Sequence, residues 1–455
     1  MQSRQLDEAG LVEKFRAKTK GSAVLFAKAQ RVSPGGVMAG IKFFPPHPLF
    51  MKRGSGSRIW DVDGNEYIDY LMSYGALILG HGHKSLRDAV ESVLEEVGTT
   101  VTGTPSEIEI EYGRLLRDLY NKEGLLRFTN SGLEATLLAV RLARAYTRRR
   151  CVAKFEGHYH GANDQLLVSY KPDLASAGLR ESPKPVSDSA DVDGSRLEDT
   201  LVLPFNDWES TERLVRANAP RLACLILEPF EDGVIPGERT FMTKLRGLTA
   251  DLRIPLVYDE VKTGFRVRIG GASEYYSVVP DITCLGKIIG GGLPVGAVVG
   301  NEEIMKLLDP RGAKGTTVFH SGTFNGNPLV LNAGKATVET LMEGGNFKRI
   351  VANTDSLKRS VSTALSSRQI QASVVGEGCM FSYFITNGGV RNYRDAENSD
   401  MKLRRILDLA IILSGVYLKP AGRFSLSLAH SKEDLQLTTE MFGRALDEVT
   451  NRLQK

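Results

Sequence analysis

The chain has 455 residues, of which 42% are hydrophobic and 25% charged, with a net charge of +4. That length suits two or three domains, or one large α/β domain with appendages. So small an excess of positive charge predicts neither a nucleic-acid nor a membrane partner.

Taken in chain order, residues 1–31 read as one polar, partly amphipathic helix ending before the Pro-Gly-Gly at 34–36. RIWDVDGNEYIDY (58–70) reads as a hairpin, because two alternating strands flank Asp63-Gly64, a favoured tight-turn pair. DVDGN imitates the opening of a calcium loop, but Met72 stands where the closing glutamate belongs, so calcium is not expected. From residue 84 helix and strand patterns alternate. Leu86, Val90, Val93, Leu94 and Val97 form a helical stripe, with Gly98 as its cap. LLRF, CVAKF, LACLILE, IPLVYDE and DITCLG are apolar runs of strand length, and helix-like segments separate many of them. That alternation predicts a mostly parallel sheet covered on both faces.

The densest basic run, RAYTRRR at 144–150, falls at an expected helix C-terminus, where the dipole favours cations. Residues 171–200 are rich in Pro, Ser, Asp and Gly and lack periodicity, which suits a functional lid or a disordered segment. After residue 330 come helix, strand and helix patterns, then an alternating FSLSLAHS strand and a final helix. Cys151, Cys224, Cys284 and Cys379 have no CxxC spacing and read as reduced core residues. The N-terminus is too charged for a secretory signal, and no apolar run nears the about 20 residues that span a bilayer. The expectation is a cytoplasmic protein.

Three segments carry chemistry. In LLRFTNSGLEA, a strand leads through Ser131 and Gly132 into a helix, whose free N–H groups favour an anion; an ordinary serine cap fits the same residues. In IPLVYDEVKTGFR, Asp259 and Glu260 stand at the carboxyl end of a buried strand, where α/β sheets place ligands; a capping acid or structural ion pair is the other reading. In CLGKIIGGGLPVG, Lys287 sits between an apolar run and a glycine cluster. This is no P-loop, because the lysine precedes the glycines and Ile288 follows it. A desolvated lysine has a lowered pKa and becomes a nucleophile suited to Schiff-base chemistry. Phosphate anchor, strand-end carboxylate and nucleophilic lysine are together what pyridoxal phosphate requires.

With SPGGV, LILGHGH, FEGHYHGA, LEP, SGTFNGNPL and GVYLKP added, the chain resembles the class III pyridoxal-phosphate aminotransferases of fold type I, nearest the glutamate-1-semialdehyde aminomutase branch. The resemblance covers nearly everything but 171–200. It implies a large cofactor-binding domain at 84–328 with a mostly parallel seven-stranded sheet between helices. A smaller α+β domain would be built from 1–83 and 329–455. Lys287 would carry the cofactor as a Schiff base, Asp259 would bind the pyridine nitrogen, Tyr159 would stack on the ring and Val261 would pack on its other face. Ser131 and Gly132 would hold the phosphate, joined by Gly322 and Thr323 from the partner chain of a homodimer. Glu228 matches a glutamate near the cofactor, with a structural role equally open, and Tyr159 also reads as a core aromatic. His158 and His160 lack a third metal ligand, and no metal is expected.

Departures concern the substrate. Lys42 stands where the branch has an arginine for a substrate carboxylate, and Arg423 follows GVYLKP where a glutamate is missing. Glu231, Asp232 and Gly233 replace a stretch that usually holds an asparagine. Lys262, in DEVKTG, reads as a solvated, salt-bridged side chain or as a group near the cofactor. The expected activity is amino transfer from an amino acid, β- or D-amino acids included, or a related amine to a keto acid. Lys42 and Arg423 would bind the carboxylate and Tyr74 would contact the substrate. The alternatives are the aminomutase, an isomerase making 5-aminolevulinate, and a non-catalytic cofactor-binding module.

Overall fold

A computed structural model describes residues 8–453, which divide into two compact units. One comprises Lys84–Gly344 with Arg391–Ala396; the other comprises the described residues of Met1–His83, Gly345–Val390 and Glu397–Lys455.

The first unit is built on seven strands: β1 (Leu125–Thr129), β2 (Cys151–Phe155), β3 (Thr200–Leu203), β4 (Leu222–Leu227), β5 (Leu256–Asp259), β6 (Ile282–Gly286) and β7 (Gly296–Gly300). Their spatial order is β1-β7-β6-β5-β4-β2-β3, and only the pairings of β7 are antiparallel. β2, β4, β5, β6 and β7 are buried throughout, which is why they read as unbroken apolar runs rather than alternating ones. On one face Phe155, Leu225, Leu227 and Tyr258 pack with Phe241 and Leu245. On the other, Val152, Ile226, Val257 and Val298 pack with Ala135, Leu138 and Leu142 of the helix that follows β1. Each such fully buried Leu, Ile, Val or Phe side chain contributes about 1.5–3 kcal/mol. Cys151, Cys224 and Cys284 sit in these two layers, and all four cysteines are free and buried.

Helices α1 (Lys84–Ser92), α2 (Glu107–Tyr120), α3 (Gly132–Thr147) and α4 (Pro328–Met342) belong to the same unit. α1 is shorter than its apolar stripe: the chain widens into a π turn over Val93–Val97, leaving Leu94 and Val97 about half exposed, before Gly98 caps it at φ +71°. α4 packs on α1 and α2, so the boundary expected after residue 328 lies instead at Gly344. The basic run at the end of α3 is spent locally: Arg144 bonds Gln165, and Arg150 reaches Asp199 at 2.7 Å.

Residues 171–200, expected as a functional lid or a disordered segment, carry regular structure of their own. They hold a small hairpin (Gly178–Leu179 with Ser182–Pro183) and a short helix, Gly194–Glu198, capped by Asp193. Arg394 grips this segment, donating to the carbonyls of Ala177 and Gly178 while its guanidinium pairs with Glu156 at 2.7 and 2.9 Å.

In the second unit the expected hairpin forms, Arg58–Asp61 against Glu66–Asp69, and Asp61 holds its turn by accepting from the N–H groups of Asp63 and Asn65. The single N-terminal helix expected over 1–31 is two helices, Glu8–Lys18 and Lys20–Ala29, because Thr19 leaves helical geometry at ψ +43°; residues 1–7 lie outside the described part. FSLSLAHS contributes only Phe424–Ser425 as strand, pairing with Met380–Ile385, since Ser427 bonds His430, and His430 reaches Asp69 O, instead of joining a ladder. Helices Asn346–Ser366, Met401–Leu413 and Lys432–Leu453 complete the unit. Among the described residues no helix is long and apolar enough to cross a membrane.

Candidate active site

Parallel strands deliver their carboxyl ends to one edge of a sheet, and that edge is where α/β folds hold ligands. Here β1, β2, β4, β5 and β6 end in Ser131-Gly132, His158-Tyr159-His160, Glu228, Asp259 and Lys287 respectively. Asp259 pairs in register with Cys284, two residues before the end of β6, so the aspartate and the lysine stand at the carboxyl ends of neighbouring strands.

Small residues draw the three chemical segments together. A Cβ on Gly132 would stand 2.8 Å from both γ carbons of Val261, and one on Gly286 would stand 3.3 Å from Val261 and 3.5 Å from the Cα of Gly132. Val261 therefore lies in contact with the start of α3 and with the residue before Lys287. Ser131 caps α3, its Oγ accepting from the Glu134 N–H at 3.1 Å. Both readings of that serine are thus compatible with one geometry. Lys287 has φ +50°, an uncommon backbone state for a side chain of its size, and such strain concentrates where function requires it. The turn after it is held tightly: Ile289 O accepts from Tyr112 at 2.8 Å, and Gly291 and Gly334 let it lie directly on α4.

Asp259 is buried and hydrogen-bonded on both oxygens, from His160 Nδ1 at 2.8 Å and from the Val261 N–H at 3.1 Å. Each carboxylate oxygen has two lone pairs, so each can still accept a further donor. Around Tyr159 lies a denser polar cluster. Glu228 Oε2 accepts from the Tyr159 N–H at 2.8 Å, the Glu228 N–H donates to His158 Nδ1 at 3.0 Å, and the rings of Tyr159 and Tyr170 are 4.8 Å apart. Burial keeps His158 neutral, pushing its pKa well below the usual value. Burial first, then the neighbouring Glu228 and Asp232 carboxylates, holds Glu231 well above the usual carboxylate range. Tyr170 is pushed up to about 12 by burial. Lys262 is salt-bridged as expected but not solvated, with 11% of its side chain exposed, 2.7 Å from Glu228 and 3.0 Å from Asp232.

Sequence reasoning placed His160 only in a metal question, and it missed Lys154, whose buried amine donates to the carbonyls of Leu166 and Val168. The available signal was the place of Lys154 inside the apolar run CVAKF, a strand buried along its whole length. No group of three or more His, Cys, Asp or Glu among the described residues could hold a metal.

The other expected residues lie elsewhere. Gly322 and Thr323 sit in the loop at 319–327, with Thr323 exposed, and Arg141 of α3 ties that loop down through Phe319 O at 2.7 Å. Lys42, Tyr74 and Arg423 belong to the second unit, where they come together. Tyr74 Oη donates to Ile41 O at 2.8 Å, beside the exposed Lys42, and Arg423 Nη2 donates to Tyr74 O at 3.2 Å. Met72, Ser73 and Tyr74 all have positive φ, a rare run for residues with side chains, and Asp69 caps it by accepting from the N–H groups of Leu71 and Met72.

These residues fit pyridoxal phosphate. The donor set has a carboxylate with spare acceptor capacity at one strand end, a lysine at the next, and a helix start opened by Gly132 for close approach of an anion. Comparison with known proteins agrees. The profile of the family described as "Aminotransferase class-III" matches residues 44–446. The chain is 39% identical over 435 residues to the glutamate-1-semialdehyde 2,1-aminomutase of Archaeoglobus fulgidus, covering 94% of this chain and all of that one. Among solved structures it is similar to an omega-transaminase from Sphaerobacter thermophilus, with 33% identity, TM-score 0.90, and 94% and 98% of the two chains covered. It is also similar to a transaminase with PLP bound, at 30% identity and TM-score 0.87, covering 96% and 99%. The chain belongs to the class III aminotransferases and is a pyridoxal-phosphate-dependent enzyme of fold type I.

Proposed function

We propose that the enzyme moves an amino group on a small carboxylate-bearing substrate, with Lys287 as its cofactor-attaching and proton-moving residue. The observation that carries this is the convergence of Asp259, Ser131-Gly132 and Lys287 on one sheet edge. Pyridoxal phosphate, when bound, supplies an electron sink and a temporary store for the nitrogen. The remaining chemistry belongs to the chain. Asp259, fixed by His160 and the Val261 N–H, offers a carboxylate that keeps the pyridine nitrogen protonated, because a nearby anion favours the charged form. Ser131 and Gly132 seat the phosphate at the start of α3. Tyr159 and Val261 pack on the ring, and Glu228 fixes the backbone of Tyr159. Lys287, once neutral, takes a proton from one carbon and returns it to another. Lys42, Tyr74 and Arg423 receive the substrate carboxylate. The active unit is a homodimer in which Gly322 and Thr323 complete the partner's phosphate seat.

Two reactions fit this machinery. The identity to the Archaeoglobus aminomutase favours the isomerase, in which glutamate-1-semialdehyde becomes 5-aminolevulinate with no outside acceptor. The exchange of an arginine for Lys42, together with Arg423, favours the second, transfer from an amino acid to a separate keto acid. A lysine is a point charge where an arginine is a bidentate fork, so a different carboxylate geometry is implied. Purified enzyme incubated with glutamate-1-semialdehyde alone separates them. Catalytic yield of 5-aminolevulinate supports the isomerase. No yield, with about one equivalent of carbonyl product per site from an amine donor until a keto acid is added, supports the transaminase.

A further inference from the structure

We propose that Lys262 is a positioning residue for Tyr159, clamping it at two points: its backbone through Glu228, and its ring by direct contact. The inference rests on the reading of Tyr159 as the ring that packs on pyridoxal phosphate. It gives Lys262 a role toward Tyr159 that neither the family resemblance nor the sequence assigns.

The Lys262 Nζ lies 2.7 Å from Glu228 Oε1, while the other oxygen of the same carboxylate accepts from the Tyr159 N–H at 2.8 Å. The same Nζ stands over the Tyr159 ring, 5.5 Å from its centroid. One ammonium thus reaches one tyrosine by two independent routes. The second carboxylate, Asp232 at 3.0 Å, holds the lysine from the solvent side, being 60% exposed where Glu228 is 3% exposed. An ammonium this dry would be costly without such partners. With them in place, the dry setting strengthens its attraction for the face of the aromatic ring. The three groups come from three different strand ends, those of β2, β4 and β5, so Lys262 also fixes the spacing of those loops around Tyr159.

A salt bridge of purely structural value would stabilise the fold without regard to Tyr159, and a double-mutant cycle on the holoenzyme separates the two cases. The proteins are wild type, Lys262→Met, Lys262→Arg, Tyr159→Leu and the Lys262→Met/Tyr159→Leu double variant. The measurements are the dissociation constant of pyridoxal phosphate and the visible circular dichroism of the bound cofactor. The expected result is about fivefold weaker retention and an altered dichroic band in Lys262→Met, with most of both restored in Lys262→Arg. In the Tyr159→Leu background the lysine substitution should change retention less than twofold. Equal penalties with and without Tyr159, or an unchanged dichroic band in Lys262→Met, would overturn the clamp. If Lys262→Met fails to fold because Glu228 is left buried and unpaired, Lys262→Met/Glu228→Gln removes both charges and takes its place in the cycle with the same expectations. Tyr159→Leu alone with wild-type retention and spectrum would overturn the assignment of Tyr159, and the clamp with it. That outcome is distinct from additive penalties, which sink only the role of Lys262.

Discussion

Lysines in this chain are sorted by what surrounds each amine. Lys154 is fully buried, and desolvation lowers its pKa to about 7 despite the neighbouring Asp188, Glu228 and Glu156. In the unfolded chain the same group holds its proton up to about pH 10.4. Between those values the unfolded state binds more protons, so stability should rise as pH climbs from about 7 towards 10. Lys154→Met should flatten that rise, as measured by urea unfolding at pH 7, 8 and 9; an identical slope in both proteins would count against it. Lys287→Ala should lower turnover about 10³-fold or more and abolish covalent capture of the cofactor by borohydride. Lys287 was legible in the sequence because a charge stands between a buried strand and a run of glycines. The partners of Lys262 and Lys154 were not, because Glu228, Leu166 and Val168 are brought to them only by tertiary structure.

Among the elements, α3 and the turn after β5 approach so closely that no side chain fits at Gly132. Gly132→Ala puts a methyl 2.8 Å from two carbons of Val261, so it should weaken cofactor binding roughly tenfold, and Val261→Ala in the same chain should recover part of that loss. Fluorescence titration of the apoenzyme reads both. Arg394 is the other tie between elements. Its bidentate pair with Glu156 leaves the two side chains 13% and 5% exposed, so Arg394→Ala should cost about 3–5 kcal/mol by leaving a buried carboxylate unpaired. Limited proteolysis should then cut within 171–200 first. The sheet strands were readable because burial on both faces makes them continuous apolar runs. The order in 171–200 was not, since Tyr393 and Arg394, which hold it through Pro172, Ala177 and Gly178, lie far along the chain. Likewise the end of α1 was hidden, because Leu94 and Val97 keep the apolar period while facing outward.

At the scale of the whole molecule, the loop bearing Gly322 and Thr323 exposes Phe319 at 79% and Phe324 at 60%. Apolar rings on either side of Gly322 and Thr323 suit a surface that a second copy covers. Light scattering should give twice the chain mass, and Phe324→Asp should shift it towards the monomer while lowering cofactor retention. No sequence pattern fixes such pairing, because it depends on a surface and not on a period. The antiparallel course of β7 has a further consequence. Since β7 turns straight back from β6, only residues 287–295 lie between them, and that short return is seated on α4 by Gly291 and Gly334. Lys287 therefore hangs from a tether with almost no slack. Protein engineers have latitude at the exposed stretch 311–316, where an inserted peptide would merely lengthen a surface excursion, but a single extra residue between Lys287 and Val295 would disturb the seating of Lys287 at the sheet edge.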